Sequence, residues 1–252
     1  LRGSWWSAMT RVGAIDCGTN SIRLLIADVD PDSGALTDLV RRMEIVRLGH
    51  GVDRTRVIAP EAMRRTVAQA REFAAQCSQL GVQKVRFIAT SASRDAQNAG
   101  EFVAGIRDAF SAFGVTPEVV HGGEEASLSF HGATGDLRAN GVSAPYLMVD
   151  LGGGSTEFVV STGSRVLLSE SLALGVVRLA DKHAKSDPPS EKEIRAMKKA
   201  IRRVANRAAV AVRRKGFKTC AGASGTIQSL SLVHGAAVLG RTPSPTGQRT
   251  LT

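Results

Sequence analysis

The chain has 252 residues, of which 43% are hydrophobic and 22% charged, a balance that is ordinary for a folded globular protein. No window approaches the roughly 18 apolar residues of a membrane-spanning helix, so no membrane partner is expected. The formal net charge of +10 allows an anionic partner but does not choose between nucleic acid, nucleotide and polyphosphate.

The first half of the chain predicts a hairpin followed by strand and helix units. Residues 11–30, RVGAIDCGTNSIRLLIADVD, place apolar runs at 12–15 and 22–29 around a polar turn, and LVRRMEIVRLGHGVD predicts a third strand ending in a loop at Gly49–Gly51. Helical spacing between Pro60 and Gly81 predicts a helix. Beyond it we expect a strand at 84–90, a loop at 91–98, a helix at 101–114, a short strand at 118–120, and a loop opening a helix at 121–133.

The second half repeats this order. YLMVDLGGGSTEFVVS predicts strand, glycine-rich turn and strand, SRVLLSESLAL another strand, and ALGVVRLADKH the start of a helix. Ser190 and Glu193 form a capping box, which predicts the start of a long helix. After it, KTCAGASGTIQSLS predicts a strand, a turn and a helix start. The repeated order predicts two α/β lobes with a cleft between them, which we assign to residues 9–127 and 128–252.

Two turns match each other across the halves. DCGTNSIR begins at Asp16 and DLGGGSTE at Asp150, and each combines an aspartate, small residues and hydroxyls. Backbone N–H groups in such turns bind phosphate well. One glycine-rich turn alone favours an ordinary hairpin, whereas a matching pair, one in each lobe, predicts a clamp on a phosphoryl group.

Six segments, in this order, resemble the exopolyphosphatase/guanosine pentaphosphate phosphatase (Ppx/GppA) family of the actin/sugar-kinase/Hsp70 superfamily. They are DCGTNSIRLLIADVD, LGHGVD, ATSASRDAQN, GGEEASLSF, DLGGGSTEF and AGASGT, and the resemblance covers about residues 10–232. It implies an α/β, two-lobed actin-like ATPase (ribonuclease H-like) fold. The implied reaction is hydrolysis of a terminal phosphoanhydride, in inorganic polyphosphate or guanosine pentaphosphate (pppGpp). Family members usually continue beyond the AGASGT helix, so an incomplete second lobe is left open.

The resemblance also implies roles for individual residues. Glu125, the second of the EE pair, matches the catalytic glutamate that orients or deprotonates the attacking water. Asp150 and Glu157 match acidic residues at the scissile phosphate and, with Asp16, form the implied ligand set for Mg²⁺, with Mn²⁺ as an alternative. The implied phosphate-binding residues are Gly18, Thr19, Asn20, Ser21, Arg23, Arg94, Gly152, Gly153, Gly154, Ser155 and Thr156.

Without the resemblance, several of these residues have ordinary interpretations. Glu124 and Glu125 predict a solvated helix start, Arg94 fits a structural salt bridge, and AGASGT fits a simple helix entry as well as a third phosphate- or nucleoside-facing turn. Two other functions stay open. One is a nucleotide-dependent kinase of the same superfamily, against which the EE motif argues, and the other is a non-catalytic regulator that binds polyphosphate or an alarmone. Nucleic acid is not expected as a partner, and a homodimer is left open.

The long helix from Ser190 to Lys215 has two interpretations. Its apolar stripe predicts one packed side, and basic residues cover the other: Lys192, Arg195, Lys198, Lys199, Arg202, Arg203, Arg207, Arg213, Arg214 and Lys215. A solvated face is the simpler interpretation, and a track for a long anionic chain is the sharper one.

Three cysteines, Cys17, Cys77 and Cys220, lie far apart and form no CxxC pair. This usage fits a reducing cytosol better than a disulfide framework or a zinc site, so a cytoplasmic location is expected. Cys17 lies in the first turn, but no base neighbours it in sequence. We therefore predict that it packs and does not act as a nucleophile.

Overall fold

A computed structural model of the protein describes residues 9–139 and 141–237. The chain divides into two compact units, Leu1–His121 and Gly122–Thr252. The predicted boundary between residues 127 and 128 falls within helix α5 (Gly122–Ala139), and the assignment of one phosphate loop to each lobe stays a prediction. In the described ranges, no helix has the length and apolar character needed to cross a bilayer.

The first unit is built on a five-stranded sheet in the order β3-β2-β1-β4-β5. Its strands are β1 (Thr10–Cys17), β2 (Ser21–Val29), β3 (Leu36–Ile45), β4 (Lys84–Ala89) and β5 (Glu118–Val119). Its α-helices are α1 (Val52–Thr55), α2 (Pro60–Gln79), α3 (Ser91–Asp95) and α4 (Ala99–Ala109). The predicted hairpin is confirmed, since β1 and β2 pair antiparallel, while β1, β4 and β5 run parallel. The carboxyl ends of these three strands therefore meet at one edge of the sheet.

Helix α2 closes one face of this sheet. Its apolar positions recur at helical spacing, and Val67, Ala70, Phe73 and Cys77 are all buried in the core. Burying a Phe side chain completely, as at Phe73, stabilises a fold by about 1.5–3 kcal/mol. The predicted helix and its Pro60 start are confirmed.

Two short helices were not predicted. The predicted loop at 91–98 is wrong in its first half, where Ser91–Asp95 form the single helical turn α3. Its small side chains allow this turn to pack against the core, and Ser91, Ala92 and Ser93 are buried. Helix α1 follows Gly51, whose φ of +76° favours glycine. Helices of four or five residues are too short to show a hydrophobic period, so the pattern of the sequence does not reveal them.

The second unit has a four-stranded sheet in the order β8-β7-β6-β9. Its strands are β6 (Tyr146–Leu151), β7 (Thr156–Ser161), β8 (Val166–Leu172) and β9 (Thr219–Ala223), and the helices that follow α5 are α6 (Val176–His183), α7 (Glu191–Lys215) and α8 (Gly225–Ala237). Strands β6, β7 and β8 pair antiparallel, and β9 joins β6 in parallel. The predicted second hairpin is confirmed.

Opposite faces of this second sheet pack against different helices. Met148 and Val159 form a cluster with Ala126 and Phe130 of α5. Their strand neighbours Leu147 and Val160 cluster with Val212 of α7 on the other face. Helix α5 therefore covers one face and α7 the other.

Helix α7 begins as predicted and packs less than predicted. The capping box of Ser190 and Glu193 is formed. Of the predicted apolar stripe, Ala208 and Val212 are buried, but Ile194 is 41% and Ile201 37% exposed. Only the carboxyl-terminal half of the stripe is therefore packed tightly among the described residues.

Candidate active site

The two predicted turns are closed by the same backbone hydrogen bond. Gly18 N donates to Ser21 O at 2.9 Å, and Gly152 N donates to Ser155 O at 3.0 Å. The registers also correspond, because Asp16 lies opposite Arg23 in the first hairpin and Asp150 lies opposite Glu157 in the second. Each unit thus presents an aspartate two residues before a four-residue turn of small and hydroxyl residues.

The side chain of Thr19 holds the first turn inside its unit. Thr19 is 7% exposed, and its Oγ1 lies 2.8 Å from Ser91 Oγ in α3. Thr19 O accepts a bond from Gly49 N at 2.9 Å, and a Cβ added at Gly49 would lie 2.4 Å from Thr19 Cγ2. Gly49 therefore permits a close approach that fixes the turn.

Two arginines stand near this turn. Arg23 Nη1 donates to Asp16 Oδ2 at 3.1 Å, and these side chains are 41% and 48% exposed. An ion pair this exposed stabilises a fold by about 1 kcal/mol or less, so fold stability does not explain the pair. Arg94 in α3 donates from Nη1 to Val120 O at 2.8 Å. That bond holds Arg94 beside the end of β5, at the edge where β1 also ends.

Cys17 packs in the core, in agreement with the prediction. It is 1% exposed, and burial, followed by the charge of Asp16, raises the pKa of its thiol well above the ordinary range. A thiol so protonated is a poor nucleophile.

The carbonyl groups of the three glycines in the second turn are all occupied by hydrogen bonds from α6. Gly152 O and Gly153 O accept bonds of 2.9 to 3.1 Å from the first turn of α6, and Gly154 O accepts from Arg178 Nε at 2.8 Å. In a trans peptide the C=O and the following N–H point in opposite directions. The N–H groups of residues 153–155 therefore point away from α6, as an anion-binding nest requires.

Gly175 allows close contact between this turn and the start of α6. A Cβ added at Gly175, which precedes α6, would lie 2.3 Å from the C and O atoms of Gly153. Such a distance leaves no room for any side chain at Gly175. Gly175 thus lets the two backbones come into contact.

Asp150 and Glu157 share the face of the second sheet that α5 covers. They lie directly opposite each other, on the same face as Met148 and Val159. Asp150 Oδ2 accepts a hydrogen bond from Ser129 Oγ. Glu157 is 2% exposed, and its Oε1 accepts from Ser171 Oγ at 2.8 Å. Such bonds offset the cost of burying a carboxylate.

Helix α5 places Glu125 over this pair. Gly122, Glu125 and Ser129 have the spacing i, i+3 and i+7 and so lie on one helix face. Ser129 contacts Asp150, and a Cβ added at Gly122 would lie 2.5 Å from Ser171 Oγ, the group that binds Glu157. Glu125 therefore lies on α5 between the two points where the helix meets the carboxylate row.

The carboxylates fit a magnesium site of the kind that substrate completes. In the part of the chain that the structure describes, no three His, Cys, Asp or Glu side chains group as metal ligands. Mg²⁺ is usually held by one or two carboxylates together with waters and substrate phosphates. The pair Asp150 and Glu157 satisfies that pattern, whereas Asp16 lies in the first unit and pairs with Arg23.

The third glycine-containing turn, AGASGT, adjoins the second. Ser224 has a φ of +90°, which is uncommon for a residue with a side chain. Its hydroxyl donates to Leu151 O at 2.7 Å, immediately before Gly152. This strained residue therefore ties the start of α8 to the start of the glycine turn.

Four residues of this site were not identified from the sequence: Ser129, Ser171, Gly175 and Arg178. Ser129 carries one usable signal, since it follows Glu125 by four residues on the same helix face. The contacts of Ser171 and Arg178 depend on how β8 and α6 pack, and nothing in their local sequence indicates it.

The chain is similar to several known proteins. Residues 25–239 match the Ppx/GppA phosphatase family. Exopolyphosphatase 2 of Mycobacterium tuberculosis is 44% identical over 228 residues, which are 89% of this chain and 70% of that protein. A crystal structure of an exopolyphosphatase-like protein has 40% identity and a TM-score of 0.82, covering 89% of this chain and 68% of the other. An Aquifex aeolicus Ppx/GppA structure has 28% identity and a TM-score of 0.70, covering 94% and 72%.

Proposed function

Because this chain belongs to the Ppx/GppA phosphatase family and has the α/β, actin-like fold and hydrolase class expected from its sequence, we propose that it removes terminal orthophosphate from inorganic polyphosphate. The observation that supports this most is the arrangement on one face of the second unit. There α5 brings Glu125 over Asp150 and Glu157. The glycine turn that joins the strands of this carboxylate pair presents three backbone N–H groups.

In the proposed reaction, the N–H groups of residues 153–155 bind oxygens of the terminal phosphoryl group. Glu125 holds a water molecule and accepts its proton as the water oxygen attacks phosphorus. The bridging P–O bond breaks, and its electron pair stays on the shortened chain, so the products are orthophosphate and a polymer one unit shorter. Phosphoryl transfer needs such positioning and charge stabilisation more than covalent chemistry by the protein.

Magnesium, with manganese as an alternative, is the proposed cofactor. Asp150 and Glu157 would hold it, and when bound it would neutralise charge on the phosphate oxygens. Ser129 and Ser171 support this arrangement, because each donates a hydrogen bond that directs one oxygen of a carboxylate. Asp16 stays a predicted ligand.

Guanosine pentaphosphate is a second candidate substrate, because the matched family includes both activities in its name. Its terminal phosphoanhydride has the same chemistry. Neither substrate requires the hydroxyl acceptor of a kinase, and a glutamate held over two carboxylates suits the activation of water. The cytoplasmic location and the homodimer remain predictions from the sequence.

Phosphate release tests this proposal. The full chain is incubated with long-chain polyphosphate and, separately, with pppGpp, each with Mg²⁺, with Mn²⁺ and with neither. We expect metal-dependent release from polyphosphate, with products that shorten one unit at a time. Tight binding of polyphosphate with no release under any condition would favour the regulator, and transfer of phosphate to an added alcohol would favour the kinase.

A further inference from the structure

Helix α6 supports the glycine turn on the side opposite its N–H groups. Backbone N–H groups of its first turn bond to Gly152 O and Gly153 O, and these bonds involve no side chain. The third carbonyl, of Gly154, is held by a side chain instead, through Arg178 Nε at 2.8 Å. Arg178 is half-buried in α6 and lies 24 positions along the chain from its acceptor.

This bond determines the direction of one particular N–H group. The Gly154 carbonyl and the Ser155 N–H belong to the same planar peptide unit. Glycine at 154 adds no steric preference of its own, so the peptide unit would rotate readily without a bond to its carbonyl. Ser155 is 4% exposed and begins the strand side of the turn.

We propose that Arg178 is a positioning residue for the phosphate turn, which acts by anchoring Gly154 O and so aiming the Ser155 N–H at the terminal phosphate of the substrate. Its effect on turnover rests on the proposed function, whereas its effect on the turn does not. The competing explanation is that Arg178 binds phosphate directly through its charge.

Three substitutions separate anchoring from charge. Arg178→Gln keeps an N–H donor at the position of Nε and removes the charge, since both nitrogens follow Cδ. Arg178→Lys keeps the charge and moves the donor one bond further out. Arg178→Met removes both. Lys182→Met is the matched control, because it removes an exposed cation from the same helix.

Hydrogen exchange of the substrate-free chain gives the direct measurement. We expect the amides of residues 150–157 to exchange faster in Arg178→Met and Arg178→Lys than in the wild type. They should stay protected in Arg178→Gln and Lys182→Met, and the amides of residues 16–23 serve as an internal reference. Exchange at 150–157 that is unchanged in Arg178→Met, or as fast in Arg178→Gln as in Arg178→Met, would overturn the proposal.

Kinetics then connect the turn to catalysis. A misaligned binding group lowers kcat/KM by about 100-fold, and we expect that loss in Arg178→Met with most of the activity retained in Arg178→Gln. Activity retained in Arg178→Lys and lost in Arg178→Gln would mean that the charge matters and would contradict anchoring. If Arg178→Met does not fold, the comparison of activity between Arg178→Gln and Arg178→Lys decides by itself. A wild type without phosphatase activity would refute the proposed function, while the exchange result would still decide on the anchor.

Discussion

At the scale of single residues, two serines define how the acidic pair is oriented. Ser129 donates to Asp150 and Ser171 to Glu157, and each serine contributes one bond that directs a carboxylate. Removing a partner of this kind typically lowers metal affinity or activity by about 10- to 100-fold. The serines therefore belong to the site although neither is expected to touch the substrate.

We predict that Ser129→Ala and Ser171→Ala each lower kcat by about 10- to 100-fold and raise the Mg²⁺ concentration needed for half-maximal activity. Ser127→Ala is the control, because Ser127 lies on α5 and contacts His131 instead of Asp150. Steady-state rates over a magnesium titration provide the measurement. Equal rates and equal magnesium dependence for Ser129→Ala and Ser127→Ala would show that the bond to Asp150 has no role.

At the scale of elements, the start of α7 depends on a single carboxylate. Glu193 accepts bonds from Ser190 N, Ser190 Oγ, Ser186 Oγ and Lys185 N at 2.7 to 2.8 Å. These bonds, the one from Ser190 N foremost, lower the pKa of Glu193 to about 2 from an ordinary 4.5. A carboxylate with a lowered pKa stabilises the fold fully above the unfolded-state pKa, and the contribution is lost as pH falls through the folded-state pKa.

Glu193→Gln should therefore destabilise the protein at pH 7, and its difference from the wild type should shrink between about pH 4.5 and pH 2. Urea unfolding midpoints at a series of pH values provide the measurement. Glu191→Gln is the control, since Glu191 is 90% exposed and pairs across the helix surface with Arg195. A difference between wild type and Glu193→Gln that does not change with pH would exclude the capping carboxylate as its cause.

The basic face of α7 is exposed along the helix, and it lies opposite the side that packs on β7 and β8. A long polyphosphate chain should gain affinity there through counterion release. By analogy with single-stranded nucleic acid, the logarithm of the binding constant should fall with the logarithm of the salt concentration, with a slope of about −0.7 per phosphate contact. We predict that changing Lys198, Lys199, Arg202 and Arg203 to Gln raises KM for long polyphosphate and flattens its salt dependence. Hydrolysis of pppGpp is the matched control and should barely change. Unchanged kinetics with both substrates would indicate that the basic side of α7 is a solvated face with no role in substrate binding.

At the scale of the whole molecule, the sequence predicts what local chemistry determines. Both hairpins, the capping box and the packed side of α2 follow from residues close together in the chain, and the family follows from six ordered motifs. The bonds that orient the site join residues far apart, such as Ser129 with Asp150 and Arg178 with Gly154. Such pairs depend on how α5 and α6 dock on the sheet. Small hydroxyl and cationic side chains leave no period in the sequence from which that docking could be predicted.

Metal removal tests the proposed cofactor. We predict that excess EDTA abolishes phosphate release from polyphosphate and that Mg²⁺ restores it, because two carboxylates repel a phosphate-rich substrate unless a cation lies between them. Asp150→Asn should shift the magnesium dependence to higher concentration. Full activity in EDTA would refute the requirement for a metal.

The central claim is that the face of the second unit carrying Glu125, Asp150 and Glu157 performs the hydrolysis. The most direct test compares Glu125→Gln with Glu124→Gln, whose glutamate precedes it on α5 and is exposed. A general base contributes about 10²- to 10⁴-fold, so Glu125→Gln should lose turnover by that factor while polyphosphate binding and thermal stability stay near those of the wild type. Glu124→Gln should keep its activity. Near-normal kcat in a folded Glu125→Gln protein would contradict the account.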